Sequence, residues 1–561
     1  MSASHNAQSI WLGFAERRPT HRGTTRVHLR WGRLAGLLGA LLALAWGFKT
    51  VALYYFYKEI RAFEAITWQD VFLWPTNRAN VRVAQGNYQI EAAKTKLETG
   101  ELRSAFALLQ TGVARSPAHV EGRLLLAQIY QRFRPDLTRA LLEQGLDTAS
   151  DDLDYIRFYA QVLFQARDDD AIVAWAQALL PETPELSERN TILALAAMRA
   201  ALNRGQFPLL VDYFQAYGLH TNQEGITLLA DALQRTGQGA QAIAMLETFV
   251  QQFGDAPVAD PVLQRLAGIY LEQGDPQAAI ERALRRALNA PLAWPPRLDL
   301  IRLYHATGRE GRIPREIEAM MRQFRDHEPA MAAMARLASD LGDVALAHRL
   351  YEAALERGFS VAVFGLLFVE SHLTSGQYQA AIELCNELSR ERPAWLPPYE
   401  GVLNSMRAIA YYGIGNVELG SIYLADFLAA ETTTAPLLIS IAHRFRESGR
   451  PLEAQQILQR AWALEDNNVA VLTRLLEVDL ALGDARALAT NVRHLLALQR
   501  PSYDLVEALA EALASDRFVF TPERAELLAH LAALLAERDA GVAALAAILA
   551  GAEAAPVEPA A

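Results

Sequence analysis

At 561 residues, with 52% hydrophobic and only 21% charged residues, the chain is too apolar for general disorder and too long for one compact core, leaving several domains or an array that grows in one dimension. Net charge is -11, and because Arg17, Arg18, Arg22, Arg26, Arg30 and Arg33 stand against Glu16 alone in residues 1–33, the remainder carries about -16. An acidic body lacks the cations that bind phosphate, which excludes nucleic acid as a partner, and the single cysteine, Cys385, excludes an intramolecular disulfide or a cysteine-based metal site.

Residues 1–33 have no sustained apolar periodicity and read as a flexible basic tail on the cytoplasmic side. Residues 34–57, LAGLLGALLALAWGFKTVALYYFY, are interrupted only by Lys49 and Thr50. They exceed the roughly 20 residues a bilayer core requires, with Trp31 before and Tyr54, Tyr55 and Tyr57 at the far end, where amphipathic rings favour the headgroup layer. Lys49 would cost about 2.5–3.5 kcal/mol at mid-bilayer, but it lies toward the far end and can snorkel. The arginines ahead of the span place the N-terminus in the cytoplasm and the body on the other side. Ala43-Leu44-Ala45 offers a rival reading, a cleaved signal peptide, but cleavage there would leave the mature chain starting on WGFKTVALYYFY, so an uncleaved signal-anchor is preferred.

Residues 58–83 form a juncture. Ile60, Phe63, Ile66, Trp68, Val71, Phe72 and Trp74 fall close to helical spacing, and Pro75 is expected to end that helix. The segment reads as an N-terminal cap over the first repeat, with a membrane-surface helix as the alternative.

From residue 84 the chain repeats. Glycines stand at Gly100, Gly205, Gly237, Gly274, Gly308, Gly342, Gly376, Gly415, Gly449 and Gly483, and from Gly274 onward the separations are 34, 34, 34, 39, 34 and 34. A small residue precedes many of these glycines by seven positions (Ala230, Ala267, Ala335, Ala408, Ala442), and a ring or leucine precedes by four (Leu233, Tyr270, Tyr304, Tyr411, Phe445). Five positions after comes Ala105, Ala242, Ala279, Ala347, Ala381, Gly420 or Ala454. Small residues let two antiparallel helices approach, rings fill the space beside the crossing, and glycine leaves the first helix through a left-handed conformation. Pro117, Pro291 and Pro393 then stop the second helix.

This order of small residue, ring, glycine, alanine and proline over 34 residues resembles the tetratricopeptide repeat (TPR). The resemblance is specific from Gly237 to Gly483 and looser before it, where Tyr130, Ala140, Tyr159, Ala171 and Trp175 mark repeats whose turns carry Arg134-Pro135 and Asp168-Asp169. It implies a right-handed, all-α solenoid of about twelve repeats over residues 84–502, preceded by a single transmembrane helix. Residues 503–550 would cap it and 551–561 would form a disordered tail. The 39-residue step holds ERPAWLPPYEG, from which a loop with Trp395 and Tyr399 is expected to project.

No catalytic motif is present. Gly413-Ile414-Gly415 lies at a repeat turn without a preceding strand, and Asp168-Asp169-Asp170 reads as a solvated turn rather than a calcium loop. Cys385 occupies a position filled elsewhere by leucine or tyrosine and is expected in the core. No cofactor or metal is called for. Attention falls on the inward stripe of the first helices: Asp231, Gln234, Arg235, Arg302, His305, Arg336, Asp340, Glu370, Tyr412, His443, Arg446 and Glu477. Mixed charge with arginine and aromatic residues suits a groove that binds extended or helical protein segments. The function expected is a membrane-tethered protein-interaction scaffold. By the resemblance, it belongs to the bacterial inner membrane, in envelope assembly, secretion or exopolysaccharide export. The rival is an enzyme or glycan-processing subunit using Glu370 or Glu477 with a histidine such as His443.

Overall fold

The computed structural model describes residues 8–10, 14–19, 25–60, 63, 66–166, 168–254, 256–430, 433–466, 468–498 and 503–554. The chain divides into two compact units, residues 1–166 and 167–561.

The first unit opens on a three-stranded antiparallel sheet, β1 (Gln8–Ile10), β2 (Ala15–Pro19) and β3 (Thr25–Leu29), with Gln8 opposite Arg17 and Ala15 opposite Leu29. The expectation of a flexible tail is corrected here: Thr25, Val27 and Leu29 alternate with basic residues, a strand pattern of period two too short to register as a repeat. Helix α1 (Trp31–Tyr55) follows and runs into a π-helical turn at Phe56–Ile60; together these residues are long and apolar enough to cross a membrane.

Next come α2 (Trp68–Phe72), α3 (Trp74–Glu98), α4 (Leu102–Arg115), α5 (Val120–Phe133), α6 (Pro135–Glu143), α7 (Leu146–Ala149) and α8 (Leu153–Gln165). The juncture is therefore not one helix ended by Pro75. Thr67 caps α2 by accepting from the Asp70 amide while the Asp70 carboxylate accepts from the Thr67 amide at 3.1 Å. Pro75 stands in the first turn of α3, where its missing N–H costs nothing. Phe63, Ile66, Val71 and Val81 make a small core on which Leu53, Tyr54, Tyr57 and Tyr88 pack. Where α3 crosses α4, Gly86 and Gly112 face each other; a Cβ on Gly86 would stand 2.7 Å from the Gly112 carbonyl oxygen.

The second unit runs through α9 (Asp169–Leu179), α10 (Glu188–Asn203), α11 (Phe207–Ala216), α12 (Gln223–Arg235), α13 (Gly239–Phe253), α14 (Asp260–Glu272), α15 (Pro276–Asn289), α16 (Pro295–Ala306) and α17 (Ile313–Gln323). It continues with α18 (Glu328–Leu341), α19 (Val344–Arg357), α20 (Val361–Thr374), α21 (Tyr378–Glu391), α22 (Glu400–Gly413) and α23 (Val417–Ala429). Last come α24 (Ala435–Glu447), α25 (Pro451–Leu464), α26 (Val469–Leu482), α27 (Ala485–Leu498), α28 (Tyr503–Ala514) and α29 (Arg524–Ala554). Among the described residues, α3/α4 and α5/α6 pair in the first unit and α10/α11 through α26/α27 make nine pairs in chain order in the second.

The repeat signals act as their chemistry predicts. All ten turn glycines have positive φ; Gly274, at 78°, is followed by Asp275, whose carboxylate caps α15 by accepting from the Ala278 amide at 3.0 Å. Ala242, Ala279, Ala347, Ala381 and Ala454 are completely or almost completely buried. Helices α4, α15 and α21 each end two residues before Pro117, Pro291 and Pro393; Arg392 closes α21 as a left-handed cap at φ 44°. Cys385 is fully buried.

Trp395 does not project. Its ring packs over Gly365 of α20, where a Cβ would stand 2.9 Å from the indole, and Leu396 beside it is buried; of the two rings expected to project, Tyr399 alone is exposed. The missing side chain at residue 365 makes the slot that draws the ring in. At the C-terminal end, Val506, Leu509 and Leu513 of α28 and Leu527 and Leu531 of α29 share a core with Leu472, Leu476 and Val492 of α26 and α27. Helix α29 then returns to α11, and Gly541 meets Gly205 and Phe207 there.

Candidate functional site

At several steps the first helix of one pair carries its polar stripe past the first helix of the next, and side chains about one repeat apart meet. Asp231 of α12 pairs with Arg265 of α14, and Gln234 donates to Glu272 at 2.8 Å. Gln264 of α14 reaches Asp299 of α16 at 3.3 Å. Arg336 of α18 lies 3.3 Å from Glu370 of α20, and Arg446 of α24 lies 2.6 Å from Glu477 of α26, which Arg474 also holds at 2.7 Å. The stripe is thus a ladder linking neighbouring repeats rather than a row of independent solvated groups. Exposed rungs contribute little each, about 0–1 kcal/mol.

Four first helices close around one cavity of about 580 Å³, lined by Asp340 of α18, Leu373 and Thr374 of α20, Ile409 of α22, and His443, Arg444 and Glu447 of α24, with Tyr378 and Ser448 at its edge. Of the twelve expected residues, Asp340 and His443 line it directly. His443 is tied to Glu447 at 3.2 Å and to Arg446 at 3.3 Å. Arg235, Arg302 and His305 lie elsewhere on the stripe: Arg235 donates to the Leu202 carbonyl at 3.1 Å, Arg302 approaches Asp299 at 3.4 Å, and His305 approaches Glu310 at 3.6 Å.

Two expected groove residues are buried instead. Tyr412 is 5% exposed: Gly420 leaves room for its ring, Phe445 meets it edge-on, and Arg450 lies over its face at 4.8 Å, so it belongs to the packing between repeats. Burial raises its phenol above the ordinary tyrosine range. Glu370 is 3% exposed; its carboxylate accepts from Ser339 at 2.8 Å and is gripped by Arg336 and Arg444. Arg444 is the residue the sequence did not flag. It stands one position off the stripe, beside Phe445, and its partner is two repeats earlier across the 39-residue step, so no spacing rule points to it.

The two carboxylates of the rival enzyme reading, Glu370 and Glu477, are each engaged by two arginines. Among the described residues, no group of three or more His, Cys, Asp or Glu is placed to hold a metal ion.

No family model matches the chain, and no curated protein matches it in sequence. Among solved structures it is similar to a tetratricopeptide repeat protein from Parabacteroides merdae ATCC 43184, at 16% identity over 46% of this chain and 98% of that one, with a TM-score of 0.28. It is also similar to yeast Tom70, at 10% identity over 76% and 95% with a TM-score of 0.32, and to the APC/C hetero-tetramer Cut9-Hcn1, at 12% identity over 80% and 96% with a TM-score of 0.24. What decides the fold is internal to the chain: paired antiparallel helices, left-handed glycine turns 34 residues apart, and buried alanines at the crossings. It is a TPR-like α-solenoid. In TPR terms, the cavity at Asp340, Ile409 and His443 is a segment of the face that first helices present together.

Proposed function

We propose that the chain is a membrane-tethered scaffold that holds protein segments along the first-helix face of its TPR-like repeats. The observation that carries this is the cavity shared by α18, α20, α22 and α24, which mixes apolar Leu373 and Ile409 with exposed Asp340 and His443. Mixed apolar and polar lining of this size suits a side chain or short stretch of a partner, and repeated shallow sites add through multivalency rather than through one tight pocket. Arg235, Arg302, His305, Arg336, Arg446 and Glu477 extend the same face. The length and composition of residues 31–60 support an anchor, and the six arginines before residue 34 support a cytoplasmic N-terminus with the repeats outside a bacterial inner membrane. Envelope assembly, secretion or exopolysaccharide export is the process class this layout fits, by analogy.

The test is site-specific photo-crosslinking in the full chain at position 340, with position 288 on α15 as a control away from the cavity. Protein adducts at 340 that disappear in the Arg336→Glu, Arg446→Glu double variant support the groove. Adducts that persist in that variant, or that form equally at 288, overturn it.

A further inference from the structure

Helix α2 sorts its side chains by surroundings. Val71 is buried in the small core with Phe63 and Ile66, whereas Trp68 and Phe72 lean on α1 and keep about half their surface open. Trp68 stacks on Tyr54 with ring centroids 4.2 Å apart and is 49% exposed; Phe72 meets Trp46 edge-on at 6.3 Å and is 55% exposed. On α1 itself Phe48, Val51 and Tyr55 are exposed too, on the side of the helix turned away from Trp46.

We infer that α2 is a second membrane contact, seated in the leaflet at the C-terminal end of α1 with Trp68 and Phe72 against lipid. This rests on the tether reading of α1. Lipid is the occupant because the half-open rings of α2 rest directly on the helix that is long and apolar enough to cross a membrane, so whatever surrounds that span surrounds them. Depth supports it: Trp46 precedes Tyr55 by nine residues, about 13 Å along a helix at 1.5 Å per residue, so a ring packed on Trp46 lies below the headgroups if Tyr55 marks the interface. Aromatic side chains on a short helix at that level are what an interfacial element presents to a bilayer.

The same contact accounts for Lys49. Its ammonium lies 3.9 Å from the Trp46 ring centroid, and the Thr50 hydroxyl donates to the Trp46 carbonyl at 2.8 Å, so the polar pair in the span lies beside the ring that α2 covers. One small core joins Leu53, Tyr54 and Tyr57 to Phe63, Ile66, Val71 and Val81, so it ties the end of α1 to α2 and α3. A wedge of this kind fixes the attitude of the first repeat to the bilayer.

The experiment places an environment-sensitive NBD label on single cysteines at Phe72→Cys, Trp68→Cys, Leu44→Cys and Leu102→Cys in the full chain, in phosphatidylcholine–phosphatidylglycerol nanodiscs. Cys385, being buried, stays unlabelled under native conditions. Quenching is read with doxyl-labelled lipid and with aqueous iodide. The inference expects positions 72 and 68 to be blue-shifted, quenched by doxyl lipid and insensitive to iodide, as position 44 is, with 102 showing the reverse. Quenching of 44 by lipid but of 72 and 68 by iodide overturns the wedge and leaves the tether standing. Iodide quenching at 44 as well overturns the tether, and the wedge with it.

Discussion

Arg444 of α24 reaches over α22 to the carboxylate of Glu370 on α20, which Arg336 and Ser339 of α18 hold from the other side. One buried charge thereby joins three first helices across an intervening one. Removing one partner of a buried pair leaves the other uncompensated, which is why such changes cost more than the pair contributes. Arg444→Met should lower stability by about 2–4 kcal/mol, and Arg444→Met combined with Glu370→Met should recover part of that loss. Urea denaturation of both variants checks it; a double variant less stable than the single one by a full further increment would mean the two side chains are not coupled.

Cys385 gives a pH signature. Burial pushes its thiol from the ordinary 9.0 up to about 12, so the folded chain keeps the proton where the unfolded chain has lost it. Between pH 9 and 12 the unfolded state binds fewer protons, so this group's contribution to stability falls as pH rises, by about 1.4 kcal/mol per unit. Below pH 9 the thiol is neutral in both states and contributes no slope. Wild type should therefore lose stability above pH 9 faster than Cys385→Ala, whatever constant offset the lost sulfur introduces. Parallel curves for the two proteins would show that the thiol is not held in a dry site.

The alanines at the helix crossings are the most direct test of register. Ala279 and Ala454 have no exposed surface, and each sits five residues after a turn glycine where α15 and α25 meet their partners. Ala279→Leu or Ala454→Leu should overpack the crossing and cost about 1–3 kcal/mol. Exposed Ala240→Leu, two residues before the matching position Ala242 of α13 and so on the other side of that helix, should be close to neutral. Melting curves of the three variants decide the matter; three equal shifts would mean the crossings were misplaced.

How much of this was legible in the sequence depended on whether the constraint was local. A turn that needs positive φ selects glycine whatever surrounds it, so the 34-residue spacing, the helix pairs and the burial of Cys385 could be read directly. Tyr412 and Trp395 could not, because each fills space vacated by a distant glycine, Gly420 and Gly365, and only the packed structure shows which ring lies opposite. Glu370 follows the stripe's spacing faithfully and is still buried, because Arg444 closes over it from 74 positions further on. The strand pattern between residues 8 and 29 was hidden by its shortness and its charge.

The return of α29 to α11 rests on one close approach. A Cβ on Gly541 would stand 2.7 Å from the Gly205 carbonyl oxygen, closer than side-chain atoms are found to backbone, and the obstacle is a turn held by its own hydrogen bonds. Gly541→Leu should therefore lift the second half of α29 off α11. The first half, anchored by Leu527 and Leu531 in the core with α28, should stay in place. Hydrogen exchange separates the two: amides of α11 should lose protection while those of α28 keep theirs. Loss of protection in both would show that α29 folds and unfolds as one piece with the end of the solenoid, and unchanged protection in α11 would show that the helix does not rest there.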